Sequence, residues 1–215
     1  MRKYALLFIC LLFAASAFAF PIPLKPVDYF TDLTASVPAA SAKAWNEALA
    51  QFERDTSVQF IVYVAARLPD GAALEDYTQQ AAAAWGVGRK GKDNGIVFFV
   101  FKESRLMRIE VGYGMEGRLP DATAKRILEQ EVKPQFKAND YTAGIRKGIA
   151  AVMTAAKDEH TGTGKTVAEE QDDGFGAFAA VGSIATLVII SLVLLGTWMS
   201  QREQRRLARN FTSRG

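Results

Sequence analysis

The sequence predicts an α/β fold: a three-layer α/β/α sandwich around a small mixed sheet, with a C-terminal transmembrane helix attached. Three observations predict it. The strand-like run Val58–Ala66, the Ala-rich helical stretch Leu74–Trp85 and the apolar run Ile96–Phe101 follow one another in the order of a βαβ unit. Such a unit has parallel strands and a right-handed crossover. Next, LMRIEV (Leu106–Val111) alternates in polarity and follows a connection of hairpin length, Lys102–Arg105, so it adds an antiparallel strand. Finally, Ala177–Met199 is 23 residues long and carries no charge, enough to span a bilayer.

Taken in order, residues 1–19 read as a secretory signal peptide. Arg2 and Lys3 form the basic start, Ala5–Ala15 the apolar run, and Ala17-Phe18-Ala19 the small-x-small cleavage site. Residues 20–157 form the folded domain. Its entry, Phe20–Pro38, is rich in proline, with Pro21, Pro23, Pro26 and Pro38. A first helix covers Pro38–Arg54, where Trp45, Leu49 and Phe52 recur at helical spacing, and Asp55-Thr56-Ser57 breaks it. Val58–Ala66 is a strand rich in β-branched and aromatic residues. Leu68-Pro69-Asp70-Gly71 is a turn, and Gly86 stops the helix Leu74–Trp85. Within the hairpin, Met107, Ile109 and Val111 share one face, and Leu106, Arg108 and Glu110 the other. Leu119-Pro120-Asp121 starts a helix expected to reach Val132 and to be broken by Pro134. Asp140 opens the last helix of the domain, with Tyr141, Ile145, Ile149 and Val152 as its apolar stripe.

Residues 158–176 are polar and rich in Gly, Thr and acids, as in a flexible spacer. GTGKT (Gly162–Thr166) resembles the end of a phosphate-binding loop. The full pattern needs a glycine at position 159, where Glu159 stands, and no apolar strand precedes it. Residues 177–199 are the expected membrane helix and 200–215 its Arg-rich tail. Arg202, Arg205, Arg206 and Arg209 place that tail in the cytoplasm by the positive-inside rule. The expected topology is single-pass in the inner (plasma) membrane, with the domain on the periplasmic, extracytoplasmic side.

Composition excludes several chemistries. Cys10 is the one cysteine and lies in the signal peptide, so thiolate catalysis, disulfides and Cys-based zinc sites lack material. His160 is the one histidine and lies in the spacer, which removes His-dependent triads and multi-His metal sites. The chain carries a net charge of +3, but residues 1–19 contribute +2 and residues 200–215 contribute +4, leaving the rest at −3. Nothing electrostatic favours nucleic acid as a partner.

The candidate site follows from the hairpin. Antiparallel pairing brings Lys92-Asp93-Asn94-Gly95 beside Gly112-Tyr113-Gly114-Met115-Glu116. Asp93, Asn94, Glu116 and Asp121 then become neighbours. Carboxylates, an amide and backbone carbonyls suit a hard cation, Ca²⁺ or Mg²⁺, and Gly95, Gly112, Gly114 and Gly117 let backbone approach it. An ordinary structural reading stands beside this one: Asp-Asn-Gly as a turn entering a strand, and Asp121 as a helix cap. Arg89, Lys90, Lys92 and Arg118 flank the same end and would suit phosphate oxygens. The sequence offers no cysteine nucleophile, no histidine set and no Asp-x-Asp loop after a strand to support hydrolysis.

WGVGRKGKDNGIVFFVF, RIEVGYGMEGRLPDA and PQFKANDYTAGI, spaced in this order, resemble the TPM domain, over about Val27 to Ala156. That family includes thylakoid-lumen proteins linked to photosystem II repair, bacterial exported or membrane-anchored proteins of the YgcG type, and a nematode acetylcholine-receptor modulator. The resemblance implies an α/β/α fold. It also implies acid phosphatase activity, divalent-cation binding, or a role in assembly, repair and quality control of membrane complexes. Asp93 and Asn94 in KDNG, Asp121 in LPDA and Glu116 in GYGMEG match its acidic motifs, and Trp85 and Gly88 its Trp-x-x-Gly feature. The expectation is a membrane-anchored interaction domain for a membrane protein or complex, with Ca²⁺ or Mg²⁺ bound. The alternative is a metal-dependent phosphatase.

Overall fold

Two apolar strands, β2 (Gln59–Ala65) and β3 (Gly95–Phe101), lie side by side and parallel at the centre of a four-stranded sheet in the computed structural model, which describes residues 20–157, 164–169 and 171. All seven residues of β3 are buried, as an unbroken apolar run requires when both sheet faces are covered. The hairpin partner β4 (Leu106–Val111) runs antiparallel to β3, with Ile96 opposite Val111 and Phe101 opposite Leu106. On the other side a short strand, β1 (Phe30–Asp32), pairs parallel with β2. The mixed sheet and the crossover order read from the sequence are present.

Helices pack on both faces. On one lie α1 (Ala39–Thr56), α3 (Asp121–Ile127) and α5 (Tyr141–Ala156), whose apolar residues join Phe60, Val62, Ile96, Phe98 and Ile109 in the larger core. On the other lies α2 (Leu74–Trp85), where Tyr77, Ala81 and Trp85 meet Tyr63, Val97, Phe99 and Phe101. The alternation of β4 holds: Ile109 is buried in the larger core and Met107 and Val111 pack against it. Glu110 instead accepts a hydrogen bond from the Thr78 hydroxyl of α2, at 2.6 Å, and Arg108 pairs with Glu75. The entry segment is also fastened. Phe20 and Ile22 pack on the smaller core, and Trp85 Nε1 donates to the Pro23 carbonyl at 2.8 Å.

One element has no counterpart in the sequence reading and one expectation needs correction. The Pro-rich entry segment contains β1, only three residues long and set between Pro26 and Pro38. Pro134 was expected to break the helix begun at Asp121, but the chain stays helical. A π turn (Leu128–Val132) follows α3, and α4 (Lys133–Lys137) follows the turn. The wider turn puts Pro134 in the first turn of α4, where its missing N–H costs nothing.

The expected signal peptide (1–19), membrane helix (177–199) and tail (200–215) lie outside the described residues. Among the described residues no helix is long and apolar enough to cross a membrane. The domain forms one unit that extends to Thr166. Three residues of the expected spacer belong to it: Gly164 N–H donates to the Arg54 carbonyl at 3.1 Å, the Lys165 carbonyl accepts from Arg89 Nη2, and Thr166 is buried. A second unit begins at Val167, and residues 167–169 and 171 in it are helical.

Candidate functional site

The predicted site lies at the amino end of β3. Its loop is held by main chain against main chain. Gly112 N–H donates to the Gly95 carbonyl at 2.8 Å, and Gly114 N–H to the Asp93 carbonyl at 3.0 Å. A Cβ on Gly112 would sit 2.2 Å from the Asp93 oxygen, and one on Gly95 would sit 2.1 Å from the Val87 oxygen. Such approaches exclude any side chain, so the glycines are there for closeness of backbone. A 3₁₀ turn (Tyr113–Met115) leaves β4 and buries Met115 beneath the loop.

Asn94 is the pin of this arrangement. It is buried, its Oδ1 accepts the Arg89 N–H at 2.8 Å, and its Nδ2 donates to the Ser57 carbonyl. Ser57 is the left-handed residue that ends α1, so one amide joins the loop to the α1–β2 junction. Buried Gln59 makes a parallel link, its Oε1 accepting the Gly88 N–H at 2.8 Å. Gly88 thus belongs to a clasp that also includes Ser57 and Gln59, while Trp85, the other residue of that motif, fastens the entry segment through Pro23. Ser57 and Gln59 carry no local signal of this role, because their partners lie 37 and 29 positions away.

The acidic residues behave differently. Asp93, Glu116 and Asp121 are all exposed. Asp93 sits in left-handed backbone, φ +46°, at a cleft of about 350 Å³ that Glu110, Gly112 and Tyr113 also line. Asp121 opens α3 as its first residue, without a side-chain cap bond, and lines a separate cleft with Glu75 and Lys125. Among the described residues no three His, Cys, Asp or Glu side chains gather closely enough to hold one ion. Asn94 does not fit the ligand role expected of it, since both ends of its amide are engaged within the protein. The structure therefore does not bring the four positions into one cluster: Asp93, Glu116 and Asp121 are separate exposed carboxylates, and Asn94 is a buried amide beneath the loop that carries Asp93. Of the flanking cations, Arg89 is buried and bonds Lys165, while Lys90 and Lys92 have different surroundings: Lys92 is exposed on the loop and its main chain lies against Gly114.

Comparison with known proteins supplies the remaining findings. The sequence model of the TPM domain matches residues 30–155. In fold the chain is similar to the N-terminal domain of a Porphyromonas gingivalis protein solved by NMR, at TM-score 0.56 and 30% identity. That likeness covers 62% of this chain and 88% of the other. It is similar also to the N-terminal domain of a Corynebacterium glutamicum protein, at TM-score 0.50 and 18% identity, covering 68% of this chain and 92% of that one, a likeness of fold alone. No curated protein matches the sequence.

Proposed function

The chain belongs to the TPM domain family, and from that premise we propose that it is a membrane-anchored, extracytoplasmic interaction domain that assists assembly or repair of a membrane protein or complex. One observation carries the reading: Asp93 is exposed on a loop locked by Asn94 and the close-packed glycines, and Glu116 and the helix-opening Asp121 add exposed carboxylates along the segment that follows β4. Rigid display of charge favours recognition of a basic surface, because little ordering entropy is lost on binding. The signal peptide, the uncharged stretch 177–199 and the Arg-rich tail support anchorage with the domain outside the cytoplasm. The test is photo-cross-linking in native membranes from a probe placed at Glu116. A discrete adduct with a membrane protein is expected, and it should disappear when Asp93 and Asp121 are both changed to Lys. An adduct indifferent to that charge reversal would sink the reading.

A second reading is cation binding, which Asp93 favours: it and Glu110 line one cleft beside the main chain of Gly112. A metal-dependent phosphatase would need such an ion in place, so the ion is tested first. The full chain is melted after chelation and again with Ca²⁺ or Mg²⁺. A native-state ligand at 100 times its Kd adds about 2.7 kcal/mol, a rise of several degrees. A saturable rise that Asp93→Ala abolishes would support the ion, and a flat response to both ions would remove it.

A further inference from the structure

The opposite end of the sheet holds a different feature. β3 advances six residues from Gly95 to Phe101, so its carboxyl end lies roughly 20 Å from the loop that carries Asp93, at about 3.3 Å per residue. There the β3–β4 hairpin, the π turn, α4 and the start of α5 enclose a groove of about 610 Å³. Small-molecule sites span roughly 300–1,000 Å³, and in open α/β sheets they favour the carboxyl ends of parallel strands.

We propose that this groove binds a small amphipathic anion, its carboxylate or phosphate meeting Lys102, Arg105 and Lys137 and its apolar body lying on Leu106, Met107 and Phe136. The charges are on hand. Among the described residues these three cations form no salt bridge; Glu129, the acidic residue of the groove, is bonded by Lys133 at 2.5 Å, and the charge of Lys137 reaches it only at longer range. Lys102 Nζ lies 5.0 Å above the Tyr141 ring, a contact that holds the ammonium at the mouth. Leu106 leaves an apolar side chain exposed in the same groove.

Arg105 provides an independent observation. It occupies left-handed backbone, φ +55°, where glycine would be relaxed and a long side chain is strained. Its guanidinium finds no carboxylate among the described residues, so neither the turn nor an ion pair explains it. A role in meeting a ligand does.

The experiment is calorimetric titration of the full chain in detergent with naphthoate, naphthyl phosphate, the neutral naphthylmethanol and inorganic phosphate. A triple variant, Lys102→Gln with Arg105→Gly and Lys137→Gln, measures partition into the micelle. Saturable binding of one or both aromatic anions is expected, and which of them binds identifies the acid group. The alcohol and inorganic phosphate should bind at least about tenfold more weakly, since each lacks half of the recognition. Arg105→Gly alone should weaken the anion about tenfold while leaving the melting temperature unchanged or higher, because it relieves the backbone. A purely structural Arg105 would move the two readouts the other way. Equal affinity for alcohol and anions, or full affinity in Arg105→Gly, would overturn the proposal.

Discussion

Asn94 shows how one side chain can decide the geometry of a site without taking part in its chemistry. Its amide satisfies the Arg89 N–H and the Ser57 carbonyl at once. Asn94→Ala removes both of these buried hydrogen bonds, which should cost about 2–3 kcal/mol in a denaturant melt. Asp93→Asn, which removes the exposed charge and tolerates the same left-handed backbone, should stay within about 0.5 kcal/mol of the parent in the same melt. The contrast separates frame from display. Gly112→Ala is the sharper test of the frame: its new methyl meets the Asp93 carbonyl, main chain that cannot swing aside. The loss should be at least about 2 kcal/mol. Asp-Asn-Gly reads as a turn entering a strand, but the turn lies one step earlier, closed by the Lys92 N–H on the Arg89 carbonyl, and Gly95 already begins β3. The pin was not legible, because an amide reads alike whether it turns a loop, binds an ion or ties two distant segments.

Among the elements, those with strong local patterns were read correctly. β4 alternates, α2 is bounded by Gly86, and α5 is capped by Asp140, whose Oδ1 accepts the Ala143 N–H at 2.8 Å. β1 has no pattern of its own. Three residues cannot show a period, and its place comes from register with Val62–Val64. The π turn was hidden for a related reason: a proline signals that a hydrogen bond is missing but not how the chain makes room. α5 lies close on the sheet at Gly148, where a Cβ would come within 2.9 Å of Phe98 Cε1 and Val132 Cγ2. Alanine there gains about 1 kcal/mol of helix propensity, but overpacking costs about 1–3 kcal/mol. Gly148→Ala should therefore destabilise by about 1 kcal/mol, measured by the same melt. The loss stays small because both neighbours are side chains able to yield.

At the scale of the whole molecule, the smaller core sets the alkaline limit. Burial raises the phenol pKa of both Tyr63 and Tyr77 above the ordinary 10.0, with the neighbouring Tyr63 adding to the effect on Tyr77. Above pH 10 the unfolded chain gives up these protons first. Stability should be full below that value and fall as the pH rises through the folded pKa values. Melting temperatures between pH 9 and about 11.5 should show this decline. Tyr63→Phe should flatten it, whatever it does to the melting temperature at neutral pH. The strap over that core has a consequence of its own. Pro23 is tied to Trp85, 62 positions later, and β2 finds its partner β3 only beyond that. A chain threaded through a pore from its amino end therefore cannot close either layer until most of the domain has emerged. Up to that moment its leading segment is slack, available to a chaperone or a protease, and the last stretch to arrive sets the clock for the first.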